Sequence, residues 1–475
     1  MNYRCFGVCG VMTVLGTLSG VSADVLLVPG QYETIQVAIE DAIAGDTVQV
    51  AAGLYNERID FLGKAIAVVG AGAAATTIDG SGLDGPVVRF ASEEASSSVL
   101  DGFRIGHGSG EMVTDPVFGQ VKCGGGIYIG SASPTIRNCE LRNNASWGGA
   151  GACVIGGQAT FSDCVFGNNI AEGHGGGMYL LYSALPTLER CRFEANTASW
   201  GGGMTCHGFS DVTILDCEFE GNITNNVGGG IFIRSSSSPT VDGCTFIGNI
   251  QISNPVGSGG GICVYGSGNG GGPCYPIISN CLFEGNTVTG DGGGMSNAYG
   301  SYATVTNCTF RGNTGGRDGG GVACVGADDP DVPSNSHLVN CVFEDNSTAG
   351  RGGGFFSRAS EPTLEGCVIR GNTADSGGGA YFFESPLAGM TDTAICGNSL
   401  EQVVGTHYDG GGNSIDEECE VCAADITGDG FVGVDDILAI IGEFGPCEGC
   451  AADVDGDGIV GVDDILIVLS AWGPC

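Results

Sequence analysis

A glycine triplet recurs along most of this chain and constrains it more than any other feature. Triplets begin at residues 124, 148 (as Gly148-Gly149-Ala150), 175, 201, 228, 259, 292, 319, 352, 377 and 410, with spacings of 24 to 33 residues. A second signature sits inside each unit, as in Cys191-Arg192-Phe193-Glu194-Ala195-Asn196. Its cysteines are 139, 164, 191, 217, 244, 281, 308, 341 and 367. An asparagine follows each by five residues, from Asn144 to Asn372, and a degenerate tenth unit ends at Asn398. A period in this range means a repeat architecture, in which each unit buries its apolar face only against its neighbours.

The units carry no ten-residue helical period, which argues against leucine-rich, ankyrin and tetratricopeptide arrays. Short alternating runs such as Gly126-Ile127-Tyr128-Ile129 read as strands, and Ser-Pro or Gly-rich pieces read as turns. Three short strands and three turns in about 28 residues describe one coil of a parallel β-helix. Stacking then sets like above like. Ile127, Met178, Met204, Ile231 and Ile262 form one core column, and the Cys-x-Phe segments supply others. A stacked asparagine amide donates to one neighbour and accepts from the next. The nine cysteines read as a column of small buried hydrophobes, because side chains on one face of adjacent coils point in parallel, which suits packing better than disulfide geometry.

Composition narrows the partners. Of 475 residues 89 are glycine, without the three-residue period of collagen, and 42% are hydrophobic, which argues against disorder. Fifty-four acids against 16 Lys and Arg give a net charge of −38, which repels nucleic acid and anionic lipid and opposes an acidic glycan unless calcium bridges the two. Residues 1–23 read as a signal peptide, with Arg4, an apolar Val8-to-Leu18 stretch and small residues at Val21-Ser22-Ala23. That stretch is too short to span a bilayer, and no later run is long enough to form a transmembrane segment. The expectation is a secreted, extracellular or cell-surface monomer.

Over residues 124–412 the Gly-Gly-x-Ile and Asn-rich signatures resemble the polymorphic outer-membrane-protein type of right-handed parallel β-helix repeat. Residues 24–110 resemble the first coils of pectate-lyase-like proteins. There, apolar residues at 35, 38, 39, 42 and 43 make a one-faced helix with Thr34 as N-cap, suited to covering the open end of a solenoid. The resemblance implies a mainly β fold, with a capping helix and first coils over 24–123 and repeat coils over 124–416. It also implies an association with polysaccharide or cell-surface glycan, as a polysaccharide lyase or glycoside hydrolase or as a binder. The alternative is a non-catalytic surface or adhesion protein that uses the solenoid as a spacer.

The C-terminal 419–475 segment is a different object. Residues 422–447 and 450–475 are copies 28 residues apart, identical at 17 of 26 positions. Each carries D-x-[TD]-x-D-G with a further Asp at loop position 12 and then an apolar helix, the oxygen-ligand layout of a calcium loop. Paired loop–helix copies resemble a dockerin type I module, a small α-helical EF-hand-like domain. The resemblance implies Ca²⁺ ligands Asp425, Thr427, Asp429, Phe431 (carbonyl) and Asp436, then Asp453, Asp455, Asp457, Ile459 (carbonyl) and Asp464. Gly433 and Gly461 at position 9 call for water there. The pairs Val434-Asp435 and Val462-Asp463 stand where such modules carry hydroxyls toward a cohesin-like partner. The duplication pairs Cys422 with Cys447 and Cys450 with Cys475, and leaves Cys419 unassigned.

Familiar nucleophile, phosphate-loop, zinc-protease and dinucleotide motifs are absent. Gly106-His107-Gly108 and Gly173-His174-Gly175 echo polygalacturonases without that family's paired Asp and Arg-x-Lys elements, as expected by chance in so glycine-rich a chain. Coils starting at 259 and 319 each carry six extra residues at one turn, 266–276 and 327–337, and these are expected to frame a cleft. Catalytic candidates there are Asp328, Asp329, Asp331 and His337, with Tyr275, Tyr299 and Tyr302 nearby. Tyr128, Tyr179 and Phe232 share a register in alternate coils and are expected as exposed, glycan-stacking rings.

Overall fold

Each coil is laid down as short extended runs separated by corners that glycine and asparagine tolerate. The structure, a computed structural model, describes residues 23–115, 118–253, 257–266, 271–326, 334–419, 424–427, 431–447 and 449–474. The proposed signal peptide lies outside the described residues but for Ala23.

The described strands form a mainly β solenoid of parallel sheets. Sheet A has fifteen strands, from Val25–Val28 to Tyr408–Asp409; sheet B has fourteen, from Gly53–Tyr55 to Ser414–Asp416; sheet C has thirteen, from Ile59–Asp60 to Val403–Val404. The helix α1 (Ile35–Asp41) begins where the Thr34 hydroxyl accepts the Val37 amide at 3.2 Å. Its Ile35, Ala38 and Ile39 are fully buried in the solenoid core.

Three strands per coil hold only at the ends. From residue 111 a fourth sheet, D, adds ten strands, starting with the antiparallel hairpin Glu111–Asp115 and Gly119–Cys123 and ending at Ser347–Thr348. A middle coil therefore runs C, A, B, D: Ile127–Gly130, Thr135–Arg137, Glu140–Arg142, Ala145–Gly148. Sheet D side chains Val121, Cys123 and Trp147 pack with Cys153, Tyr179 and Leu181, the strand positions of sheet C that do not face the main core.

The glycine triplet makes the corner between D and C. Gly201 has φ +65°, and a β-carbon on Gly202 would lie 2.5 Å from the Gly229 carbonyl oxygen of the next coil. Register corrects the phase of one unit: Gly148 pairs with Cys123 and His174, so the second corner is Gly149-Ala150-Gly151.

Inside, the columns form as expected. Met178 pairs with Met204, then Ile231, then Ile262, all fully buried. Phenylalanines 166, 193, 219, 246, 283, 310 and 343 stack at 4.5 to 5.2 Å, within 13° of parallel. The nine stacked cysteines are free and buried. Beside them, each ladder asparagine donates Nδ2 to the next Oδ1, as from Asn222 to Asn249 at 2.9 Å. The ladder is closed by the Gly108 amide at one end and Gln402 at the other.

Beyond the last coil, Cys396 is disulfide-bonded to Cys419, the cysteine left unassigned above. Helices α2 (Val434–Gly442) and α3 (Val462–Ser470) share a small core of Val432, Ile440, Val460 and Val468. Gly445–Pro446 pairs with Ile459–Val460, and Phe431–Val432 with Gly473–Pro474. The end of each copy thus lies against the loop of the other. This places Cys447 beside loop two, where its amide donates to Gly458 O at 3.0 Å, and Cys447 bonds to Cys450. The expected Cys422–Cys447 and Cys450–Cys475 pairs are overturned; Cys422 and Cys475 lie outside the described residues.

Candidate functional site

The main chemical interest lies where two sheet D strands, ending at His174 and Trp200, meet sheet C. A cleft of about 500 Å³ is lined by Phe118, His174, Trp200, His207, Phe209, Arg234 and the turns Ser235–Ser236 and Gly271–Gly272. Repeat position explains the gathering. His174 and Trp200 are the residues before two successive glycine triplets, and His207 and Arg234 pair as the fourth residues of adjacent sheet C strands. Gly272 reaches back from the first insertion to donate to Ser236 Oγ at 3.1 Å, closing one wall.

His174 is wholly buried, and neither ring nitrogen has a hydrogen-bond partner. Its ring stacks on Trp200 at 4.8 Å and Tyr179 at 5.1 Å, with Trp147 and Phe118 at 5.5 and 5.7 Å. Burial, with Arg234 and His207 nearby, holds its pKa well below the ordinary histidine value. The Tyr179 hydroxyl lies 3.0 Å from His207 Nδ1. Burial first, then the Arg234 charge, lower the His207 pKa to about 4, against an upward pull from Asp115. Both imidazoles are neutral at pH 7, each with one donor and one acceptor nitrogen. Arg234 lies 5.7 Å over the Phe232 ring and bonds to Ser235 Oγ at 3.3 Å.

The predicted residues meet varied outcomes. Tyr128, Tyr179 and Phe232 do share one register through Cys153 and Thr205. Their expected exposure is wrong: Tyr179 is 0% and Phe232 3% exposed, and Tyr128 is half-buried. Sheet D explains this, since it covers the face that a three-sheet coil would leave open. Tyr179 and Phe232 therefore support the cleft from within.

Asp328, Asp329 and Asp331 lie outside the described residues. His337 opens a sheet A strand, exposed, with Nδ1 2.6 Å from Thr363 Oγ1 and Nε2 4.0 Å from Glu365. Both insertions leave the solenoid at the same C-to-A turn. The described cleft, however, lies on the N-terminal side of the first and not between the two. Tyr275 and Tyr302 stack at 5.2 Å on that turn, and Tyr299 packs on Tyr265 at 4.6 Å. The two Gly-His-Gly segments are unrelated in space: His107 is exposed and bonds Asp79 at 2.9 Å, whereas His174 sits in the cleft.

A second candidate is cationic. Asp453, Asp455 and Asp457 bring one oxygen each within 4.8 Å of one another, and Asp453 Oδ1 is buried without a hydrogen-bond partner. The Asp457 amide favours the charged form of Asp455, but desolvation and repulsion from Asp457, Asp464 and Asp453 outweigh it, raising the pKa. Asp464 accepts the Val454, Asp455 and Gly461 amides at 2.7 to 3.2 Å. Burial opposes its charge, yet those amides hold its pKa low. In loop one Asp436 likewise accepts the Thr427 and Gly433 amides, while Asp429 lies outside the described residues. Three converging carboxylates with an orphaned oxygen fit a hard divalent cation.

Among the described residues no helix is long and apolar enough to cross a membrane. No curated protein matches the chain. Among solved structures, an alginate lyase in complex with a trisaccharide aligns with TM-score 0.41 and 12% identity, over 82% of this chain and 88% of that one. The A-module of a mannuronan C-5 epimerase from Azotobacter vinelandii aligns with TM-score 0.28 and 15% identity, over 81% and 96%. Carrot pectin methylesterase gives 0.25 and 12%, over 85% and 90%. The family model for the right-handed β-helix region matches residues 109–270 and 222–419, a span that holds the stacked columns, the corner glycines and the cleft. The chain belongs to the right-handed β-helix family.

Proposed function

We propose that this is an extracellular glycan-associated β-helix protein, exported by its N-terminal segment and carrying a dockerin-like, EF-hand-like calcium module at its C-terminus. The observation that carries the glycan reading is the cleft. Trp200 and the 64%-exposed Phe209 offer flat apolar faces for a sugar ring, and His174, His207 and Arg234 offer convergent polar groups. Either unpartnered nitrogen of a neutral imidazole suits a hydroxyl, which can donate to the bare nitrogen or accept from the protonated one. The described lining has none of the paired carboxylates that a glycoside hydrolase uses. That observation favours binding at this cleft, and with it the second reading, an adhesion protein built on the solenoid.

Bound Ca²⁺ would be held by the two acidic loops and would supply a fixed positive centre that organises them. Each α2/α3 copy also presents matching apolar side chains outward: Val434, Leu438, Ile441 and Phe444, then Val462, Leu466, Leu469 and Trp472, each about half exposed. Such a face suits a protein partner of the cohesin-like kind. Affinity electrophoresis through a panel of neutral and acidic polysaccharides tests the glycan reading. At least one gel should retard the parent, and Trp200→Ala should abolish the retardation. No retardation in any gel would defeat the reading.

A further inference from the structure

The geometry points to an acidic sugar as the ligand of the cleft, its carboxylate or sulfate group received by Arg234. This rests on the glycan reading above and deepens it. It also runs against the expectation from net charge, so the local arrangement has to carry it.

Ten of the thirteen described arginines lie within 4.0 Å of a carboxylate, as expected where 54 acids surround few cations. Arg234 makes no such pair among the described residues. It rests over Phe232, bonds to a serine hydroxyl and lines an open cleft whose described lining holds no carboxylate; the buried Asp115, which acts on His207, is not among the lining residues. A guanidinium keeps its charge at any working pH and presents a planar fork of donors matched to two oxygens of a carboxylate or sulfate. The partner it lacks among the described residues is thus one that a ligand can bring.

The rest of the cleft is consistent with a sugar carrying that group. His174 supplies the independent observation: a wholly buried side chain lining the cleft with both ring nitrogens unpartnered, where burying unpaired polar atoms is costly. A hydroxyl next to the acidic substituent would satisfy one of the two, donating to the bare nitrogen or accepting from the protonated one. Both imidazoles are neutral at pH 7, so the discrimination falls to Arg234. The protein's overall charge of −38 repels an acidic polymer at long range, but at 0.15 M salt that field decays over about 8 Å. Contact at Arg234 is left to decide binding.

The test is affinity electrophoresis of the full chain in 0.15 M salt with EDTA, so that a calcium bridge cannot stand in for Arg234. The gels contain polygalacturonate, alginate, a sulfated galactan or a neutral galactan. Parent, Arg234→Gln, Arg234→Lys and Trp200→Ala proteins are run together. At least one acidic polymer should retard the parent, and the neutral galactan should not. Arg234→Gln should weaken that retention at least tenfold, with Arg234→Lys between the two, because lysine keeps the charge and loses the fork. Competition by free galacturonate and galactose sulfate against galactose repeats the comparison without any variant, and separates a carboxylate from a sulfate ligand. Equal retention by the neutral galactan, an unchanged Arg234→Gln, or equal competition by galactose would overturn the acidic-group inference while leaving glycan binding intact. Retention that survives in Trp200→Ala would remove the cleft itself.

Discussion

Asn222 shows what one residue does in this fold. Its Oδ1 accepts from Asn196 Nδ2 at 3.0 Å, and its Nδ2 donates to Asn249 Oδ1 at 2.9 Å and Phe193 O at 2.8 Å. Asn222→Ala strands several buried polar groups at once, each costing about 1–3 kcal/mol. A loss of about 3 kcal/mol or more is expected, read as a lower urea midpoint. His207 gives a pH prediction. Its pKa of about 4 lies below the unfolded value near 6.5, so the unfolded chain binds more protons between those pH values. Stability should be fully present above pH 6.5 and fall as the pH drops toward 4, with buried His174 adding in the same direction. Thermal melts of His207→Gln should show a shallower fall than the parent. The ladder was legible because asparagine recurs five residues after each cysteine. The role of His174 was not, because burial by a neighbouring sheet leaves no local mark on a Gly-His-Gly tripeptide.

At the scale of elements, α1 and its Thr34 cap follow directly from local rules. Sheet D does not, since its runs, such as Ala145–Gly148, read as part of a glycine corner until they are seen packed on sheet C. That missing sheet is why Tyr179 and Phe232 were expected to be exposed. The C-terminal copies carry a similar lesson. Duplication shows two like units, but not that the end of each crosses to the loop of the other, which is what sets Cys447 against Cys450. For calcium, loop two offers carboxylates at Asp453, Asp455, Asp457 and Asp464, while loop one has the neutral Thr427 at position 3. Isothermal titration of the full chain should therefore resolve two unequal sites, and Thr427→Asp should narrow the gap, because ligand charge tunes such loops. Equal affinities in the parent would contradict the assignment.

Over the whole molecule, stacking has two consequences. It makes the core a set of repeated columns, which a single sequence reveals by its period. It also aligns the residues before successive glycine triplets, so His174 and Trp200 meet the fourth residues of sheet C strands, His207 and Arg234, in one cleft. That juxtaposition depends on the exact length of every coil between them, and the sequence period alone does not show it. The central claim is that this cleft holds a sugar. The measurement that tests it most directly is a crystal structure of the protein with an oligosaccharide cut from whichever polysaccharide retards it. A sugar ring against Trp200 or Phe209, with its substituents reaching His174 and Arg234, is the predicted result. Density lying instead along the 420 Å³ groove beside Asn307, Asn340 and Glu344, with the cleft empty, would contradict the account.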